Sequence, residues 1–239
     1  MIPELRDILF LDIETVANSK EFDSLDDRMK AQWSRKAGFL KRDADVTDAK
    51  LYQDRAGIYA EFGKIVCIAV GMFFENDSDK LTLKTKAYYG DNEALLLSDF
   101  KEMIEKMDAT TLKFCAHNGK EFDYPYLCRR MLVNGLALPP ALNLMSRKPW
   151  DVQHLDTLDM WKFGDYKHYT SLDLLTALFE IPTSKTDMDG SLVNFVYYHD
   201  RDLAKIKDYC VRDVVALAKV FLKLKSISLN EEFAVVTSD

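Results

Sequence analysis

The sequence has few cysteines, and their spacing is uninformative for metal or disulfide chemistry. None of the four forms a C-x-x-C pair, so neither a disulfide framework nor a zinc knuckle is predicted. We interpret them as small core residues in a reducing compartment. They are Cys67, Cys115, Cys128 and Cys210.

Long apolar runs are also missing. The longest, Ile65 to Phe74 and Leu132 to Met145, are too short or too interrupted by Asn, Gly and Pro to span a bilayer. The first residues lack the basic start and apolar stretch of a secretory signal. The sequence therefore predicts a cytoplasmic protein without a membrane partner.

Positive charge is not in excess, since 32 Lys and Arg face 39 Asp and Glu for a net charge of −7. This balance argues against nucleic acid as a partner, because phosphate binding normally shows as a basic excess. The objection weakens if metal ions cover several carboxylates. A 48% hydrophobic and 30% charged composition is typical of a globular chain, and 239 residues suit one domain over 1–239.

Periodicity predicts strands alternating with helices, hence an α/β fold with a mixed five-stranded sheet covered by helices on both faces. The segment from about 16 to 62 is charged and helix-forming, and we interpret it as a helical insertion. Strands are predicted at Ile8 to Glu14, Lys64 to Phe74, Leu81 to Tyr89, Thr111 to His117 and Val152 to Thr157. Helices are predicted at Asn92 to Lys106, Asp123 to Val133, Ser171 to Phe179 and Asp202 to Lys225.

Two carboxylates, Asp12 and Glu14, occupy alternate positions of the first strand and therefore project from the same face as Ile8 and Phe10. Two anions this close repel each other unless a cation or a proton lies between them. Taken alone, the pair is explained equally well by a strand end at which acids face water.

The last long helix carries another acid inside its apolar stripe. Asp213 follows Cys210 by three residues and precedes Leu217 by four, so it faces the core and requires a partner. Tyr209 lies one turn earlier on the same face. Alternatively, Tyr209 is an ordinary aromatic residue at the boundary between the core and the surface.

The segment from His117 to Asp123 joins a strand to a helix. Asp123 fits the N-cap of that helix, but catalytic residues also lie on such strand-end loops, so both interpretations stay open. Asp156, at the end of another predicted strand, is predicted to serve as a turn or cap residue.

Together these residues resemble the DEDD superfamily of 3′ to 5′ exonucleases, and in particular the proofreading exonuclease domain of family B DNA polymerases. The D-x-E motif is matched by Asp12 and Glu14, and an Asn followed by Phe-Asp is matched by Asn118, Phe122 and Asp123. The Y-x-x-x-D motif of the tyrosine branch is matched by Tyr209 and Asp213; the histidine branch would place His at 208, where this chain has Asp208. The segments 63–68 and 171–175 are also similar to that domain.

The resemblance implies a ribonuclease-H-like fold and two divalent metal ions, Mg²⁺ or Mn²⁺. It implies that Asp12 bridges both ions, that Glu14 and Asp213 complete the site holding the attacking water, and that Asp123 binds the second ion. Tyr209 would orient the water. The catalytic residues are thus Asp12, Glu14, Asp123, Tyr209 and Asp213, of which all but Tyr209 bind metal.

The implied substrate is nucleic acid with a free 3′ end, single-stranded DNA being favoured over RNA and nucleoside 5′-monophosphates being released. The substrate contacts are Thr15, Asn118 and Phe122, although Asn118 could simply tie down its loop and Phe122 could belong to the core. The 16–62 insertion matches no part of the family. Its basic residues could clamp a strand; they are Arg35, Lys36, Lys41 and Arg42.

Two rival functions remain: a nucleic-acid-binding module that has lost activity, and a phosphohydrolase of small nucleotides that uses the same metals. A polymerase domain does not fit in the rest of the chain, so we expect any proofreading to occur in trans with replication or repair proteins.

Overall fold

A computed structural model describes residues 5–40, 45–76, 80–165, 169–229 and 232–238. Its strands are β1 (Ile8–Ala17), β2 (Gly63–Glu75), β3 (Leu81–Tyr89), β4 (Lys113–Ala116), β5 (Leu155–Asp156) and β6 (Ala234–Ser238). Its helices are α1 (Asp27–Phe39), α2 (Asp48–Arg55), α3 (Glu93–Glu105), α4 (Asp123–Val133), α5 (Thr157–Lys162), α6 (Leu172–Leu178), α7 (Val193–Phe195) and α8 (Leu203–Leu224). No helix in these ranges has the length and apolarity needed to cross a membrane.

The strands form one mixed sheet in the order β5-β4-β1-β2-β3-β6. β2 pairs antiparallel with β1 and β3, whereas the pairs β1·β4, β4·β5 and β3·β6 are parallel. The mixed α/β fold predicted from the sequence is therefore confirmed, but the prediction of five strands is wrong by one. β6 was missed because its five residues are largely exposed at the sheet edge and lack apolar alternation.

Helices cover both faces of the sheet, as predicted. On one face, α3 and α4 pack against Leu9, Leu11 and Ile13 of β1. On the other face, α8 packs across β1, β2 and β3. Gly71 permits this close approach, because a Cβ there would lie 2.8 Å from Val214 Cγ1.

The predicted strand at Val152 to Thr157 is mostly not a strand. Only Leu155 and Asp156 pair with β4, and a helix begins at Thr157. The reason is Asp156, whose side chain accepts hydrogen bonds from the amides of Leu158 and Asp159 and so caps α5. The cap role predicted for Asp156 is confirmed.

The segment between β1 and β2 contains α1, α2 and a 3₁₀ turn at Ala56–Ile58. Trp33, Tyr52 and Phe62 form its small core, which packs against Ala17 at the end of β1. Lys41 and Arg42 lie outside the described residues. Lys36 places its ammonium 4.2 Å from the centre of the Tyr59 ring, so this cation contacts the segment's own surface.

Candidate active site

Strand β1 presents its two acids to helix α8. Ile8 and Phe10 belong to the core cluster that contains the buried face of α8, and alternation along the strand places Asp12 and Glu14 on the same side. Glu14 is only 8% exposed. The β1·β2 register shifts between Glu14 and Thr15, so a bulge ends the alternation directly after the acidic pair.

Helix α8 contributes Tyr209 and Asp213. Its apolar stripe was expected to face the core, and both side chains are buried on that face, at 4% and 8% exposure. The pKa of Asp213 is raised by burial and lowered by hydrogen bonding to Ser184 and Tyr209. Tyr209 therefore contacts the carboxylate one turn after it, as the spacing predicted.

Asp123 is the first residue of α4, not its N-cap, so the capping interpretation is wrong. The cap position is Phe122, which has no side-chain capping hydrogen bond. Asp123 is 4% exposed. The preceding loop is held by Asp156, whose carboxylate accepts the amides of Asn118 (2.9 Å) and Lys120 (3.1 Å).

The four carboxylates from β1, α4 and α8 interact electrostatically. Burial raises the pKa of Asp12 well above its usual range, and the charges of Glu14, Asp213 and Asp123 raise it further. The pKa of Glu14 is also raised by burial and by the charges of Asp213 and Asp123. The four predicted metal ligands therefore lie close enough for their charges to interact. Among the described residues, Asp12 and Glu14 belong to a group whose ligand atoms lie within 4.8 Å of one another, and that group does not include Asp123 or Asp213.

The pKa values of Asp123 and Tyr209 are raised as well. Burial raises the pKa of Asp123 to about 7, against the effect of hydrogen bonding to the Ile13 backbone. The pKa of Tyr209 is raised by burial and by its acidic neighbours, Asp213 first. Tyr209 is therefore a neutral phenol at neutral pH and can donate a hydrogen bond.

Among the described residues, no Lys, Arg or His forms an ion pair with any of the four carboxylates. Lys185 and Arg212 only lower the pKa of Asp213 from a distance, and Arg212 pairs with Asp187 instead. Buried acids without a protein cation favour either a bound proton or a metal ion. Hard oxygen donors of this kind suit Mg²⁺ or Mn²⁺.

Cys210 is a neighbour of the site that the sequence analysis assigned only to the core. Its thiol donates to the Asp12 side chain (Sγ to Oδ2, 3.2 Å) and lies 3.4 Å from the Asp12 carbonyl oxygen. One ligand atom each from Asp12, Glu14 and Cys210 lies within 4.8 Å of the other two. The sequence signal that could have identified Cys210 as a neighbour of the site is its position three residues before Asp213 on the same helix face.

Two of the three predicted substrate contacts share a neighbour. Thr15 and Phe122 both contact Tyr126, Thr15 through a hydrogen bond to the phenol and Phe122 with ring centres 5.3 Å apart. Tyr126 in turn donates to the Gly57 carbonyl oxygen at 2.7 Å. Asn118 adopts a left-handed backbone with φ of 63° in the loop before Asp123.

Comparisons with known proteins agree with this arrangement. Residues 58–233 match a family described as "Predicted 3'-5' exonuclease related to the exonuclease domain of PolB". The match includes Asp123, Tyr209 and Asp213 but begins after Asp12 and Glu14, which join the site through the fold of β1. Among curated protein sequences, no match to this chain was found.

The fold is similar to that of a solved structure, the family B DNA polymerase from the hyperthermophilic archaeon Pyrobaculum calidifontis. The TM-score is 0.55 at 14% sequence identity, and the alignment covers 90% of this chain. It covers 24% of the polymerase, so the chain spans about a quarter of that protein's length.

Proposed function

The chain belongs to the family of predicted 3′–5′ exonucleases related to the exonuclease domain of PolB, and from this premise we propose that it is a two-metal-ion 3′–5′ exonuclease of the tyrosine branch. The observation that carries the proposal is that four carboxylates from β1, α4 and α8 interact electrostatically, and that none of them is ion-paired with a cation among the described residues. Three of the four are buried, and Asp12 is partly buried. A purely structural role does not explain such a cluster, because mutual repulsion destabilises the folded chain.

The donor set fits two divalent ions, Mg²⁺ or Mn²⁺. Asp12, whose pKa is raised by the charges of the other three acids, would hold the ions together with Glu14, Asp213 and Asp123. When bound, the ions supply charge stabilisation at the scissile phosphate and lower the pKa of the attacking water.

Tyr209 acts by positioning. Its phenol keeps its proton at neutral pH and lies beside Asp213, so it can hold the attacking water by a hydrogen bond without serving as a base. The water oxygen attacks the phosphorus, the bond from phosphorus to the 3′ oxygen breaks, and that oxygen takes up a proton. The products are a nucleoside 5′-monophosphate and a strand shortened by one nucleotide.

The substrate is the 3′ end of a strand, with single-stranded DNA favoured and RNA also accepted. Asn118 contacts the strand backbone, while Phe122 and Thr15 contact the terminal nucleotide. The common neighbour Tyr126 supports this assignment, because both Thr15 and Phe122 contact its side chain. We further propose that the protein acts in the cytoplasm and in trans with replication or repair proteins.

The test uses single-stranded DNA and RNA labelled at either end, with wild type, Asp213→Asn and Asp208→Asn, in Mg²⁺, Mn²⁺ or EDTA. Asp208 is the matched control, because it lies on the same helix but is exposed and pairs with Lys207. We expect stepwise loss from the 3′ end by wild type and Asp208→Asn, none in EDTA, and none by Asp213→Asn. Equal cleavage by Asp213→Asn, or cleavage in EDTA, contradicts the mechanism.

A further inference from the structure

Tyr169 is an exposed aromatic side chain for which the proposed mechanism has no use. It lies just before α6 and is 66% exposed. Its ring meets the ring of His117 edge to face, with centres 6.2 Å apart. His117 follows the last residue of β4 and precedes Asn118, so Tyr169 stands beside the loop that leads to Asp123.

His117 is held in a single orientation. Its Nε2 lies 2.8 Å from the Thr170 carbonyl oxygen and its Nδ1 lies 2.9 Å from the Thr157 hydroxyl. A carbonyl oxygen only accepts, so Nε2 carries the proton and Nδ1 accepts from Thr157. The bond to Thr170 fixes the backbone next to Tyr169, and the exposed ring therefore has a rigid support.

Tyr169 also lies within electrostatic reach of two acids. Its pKa is raised by burial of part of the side chain and then by the charges of Asp123 and Asp156. Asp156 holds the amides of Asn118 and Lys120. The Tyr169 ring therefore lies near Asp123, a proposed metal ligand, and near the loop that carries the proposed substrate contact Asn118.

A rigid, exposed aromatic ring beside a phosphodiester-cleaving centre has an evident ligand chemistry. Every nucleobase has a π-face, and stacking on aromatic side chains binds single strands with little sequence preference. A base within a duplex is already stacked and paired, so it does not offer this face. We propose that Tyr169 is a base-stacking residue that selects an unpaired nucleotide at the 3′ end of the substrate. This inference rests on the proposed function.

The experiment compares two single-stranded oligonucleotides, one ending in a 3′ adenine nucleotide and the other in a 3′ abasic nucleotide. Wild type is compared with Tyr169→Ala, Tyr169→Phe and Phe74→Ala. Phe74 is a partly exposed aromatic toward the far end of β2, five residues beyond Ala69, the partner of Asp12.

On the adenine substrate, KM should rise roughly 5- to 150-fold in Tyr169→Ala with kcat little changed. On the abasic substrate, wild type and Tyr169→Ala should have the same KM, since no base is present to stack. Tyr169→Phe should behave like wild type, because the ring and not the hydroxyl is required. Phe74→Ala should leave both values unchanged.

A second readout does not depend on turnover. An oligonucleotide with 3′-terminal 2-aminopurine, titrated with protein in EDTA, should lose fluorescence on binding to wild type but not to Tyr169→Ala. Quenching and KM that are the same in both proteins overturn the inference. If quenching depends on Tyr169 but wild type releases no nucleotide in Mg²⁺ or Mn²⁺, the stacking site stands and the exonuclease proposal fails.

Discussion

Two buried glutamates of this chain have nearly the same exposure and opposite surroundings. Glu93 is 7% exposed and Glu14 is 8% exposed. Glu93 accepts from Arg130 Nε (2.9 Å) and Nη2 (2.5 Å) and from the Ile65 amide (2.7 Å). Glu14 is instead surrounded by the charges of other acids.

The chain therefore treats structural and functional buried charges differently. Where a carboxylate joins β2, α3 and α4, the sequence also supplies the guanidinium that neutralises it. No such cation pairs with the carboxylate cluster among the described residues. The fold is therefore less stable when the cluster binds neither a metal ion nor protons. A buried acid without its own cation is thus the better indicator of function.

The largest expected effect is on the paired glutamate. Arg130→Met leaves Glu93 buried without its cation and should lower the free energy of unfolding by about 3–5 kcal/mol. Urea denaturation followed by circular dichroism measures this change. Arg129→Met is the matched control. Arg129 is the exposed neighbour of Arg130 on α4, and its replacement should lower the free energy of unfolding by less than about 0.5 kcal/mol. Equal losses would mean that the buried pair contributes no more than a surface residue.

The carboxylate cluster should respond to metal instead. Mn²⁺ at a hundred times its dissociation constant should stabilise wild type by about 2.7 kcal/mol. Asp12→Asn should abolish this gain, because Asp12 is a proposed ligand of the ions, whereas Asp27→Asn on the exposed start of α1 should retain it. Thermal unfolding with and without Mn²⁺ measures the difference. A full gain in Asp12→Asn would remove Asp12 from the metal site.

Stability of the metal-free protein should also depend on pH in a specific direction. The pKa of Asp123 is raised from 3.8 to about 7, so the folded state holds more protons than the unfolded state within this window. The stabilisation from this group is complete below pH 4 and is lost as pH rises through about 7. Between pH 5 and pH 8 in EDTA, wild type should lose on the order of 2 kcal/mol more than Asp123→Asn.

Comparing the two proteins removes the contribution of His154, which has the opposite sign. Burial lowers its pKa to about 4, so His154 costs stability as pH falls from 6.5 to about 4. This cost is common to wild type and Asp123→Asn and cancels in the difference. Parallel pH profiles of the two proteins would contradict the raised pKa of Asp123.

The smallest effect concerns a third kind of buried carboxylate, which is satisfied by backbone amides alone. Asp156→Ala removes a helix cap and also frees the amides of Asn118 and Lys120. Its cost should be about 1–2 kcal/mol, larger than that of Asp26→Ala, which removes only the cap of α1. Chemical denaturation compares them; a larger loss in Asp26→Ala would show that the loop amides add nothing.

The α/β fold and the positions of three of the acids could be predicted from the sequence, because the relevant patterns are local. Alternation along β1 placed Asp12 and Glu14 on the face opposite Leu11 and Ile13, and helical spacing placed Asp213 in the core. The domain extent of 1–239, the insertion at 16–62 and the roles of individual residues stay predictions.

What the sequence did not reveal depends on contacts between distant segments. Glu93 and Arg130 are 37 residues apart, and nothing in either helix alone shows that they pair. Cys210 lies 198 residues from the acid it contacts. β6 forms only because β3 offers an edge to a short segment with a weak pattern of its own.

Helix α8 also determines which length changes the chain can tolerate. One uninterrupted helix of 22 residues carries core contacts on either side of Tyr209, Cys210 and Asp213. Each residue turns an α-helix by about 100°. A single insertion or deletion between Ile206 and Leu217 would therefore rotate part of the helix by about 100°. Either Asp213 or the core residues on one side of it would then no longer face the sheet. Natural or engineered variants of this chain should accept substitutions at the exposed positions of that interval, such as Asp208, but not changes in its length.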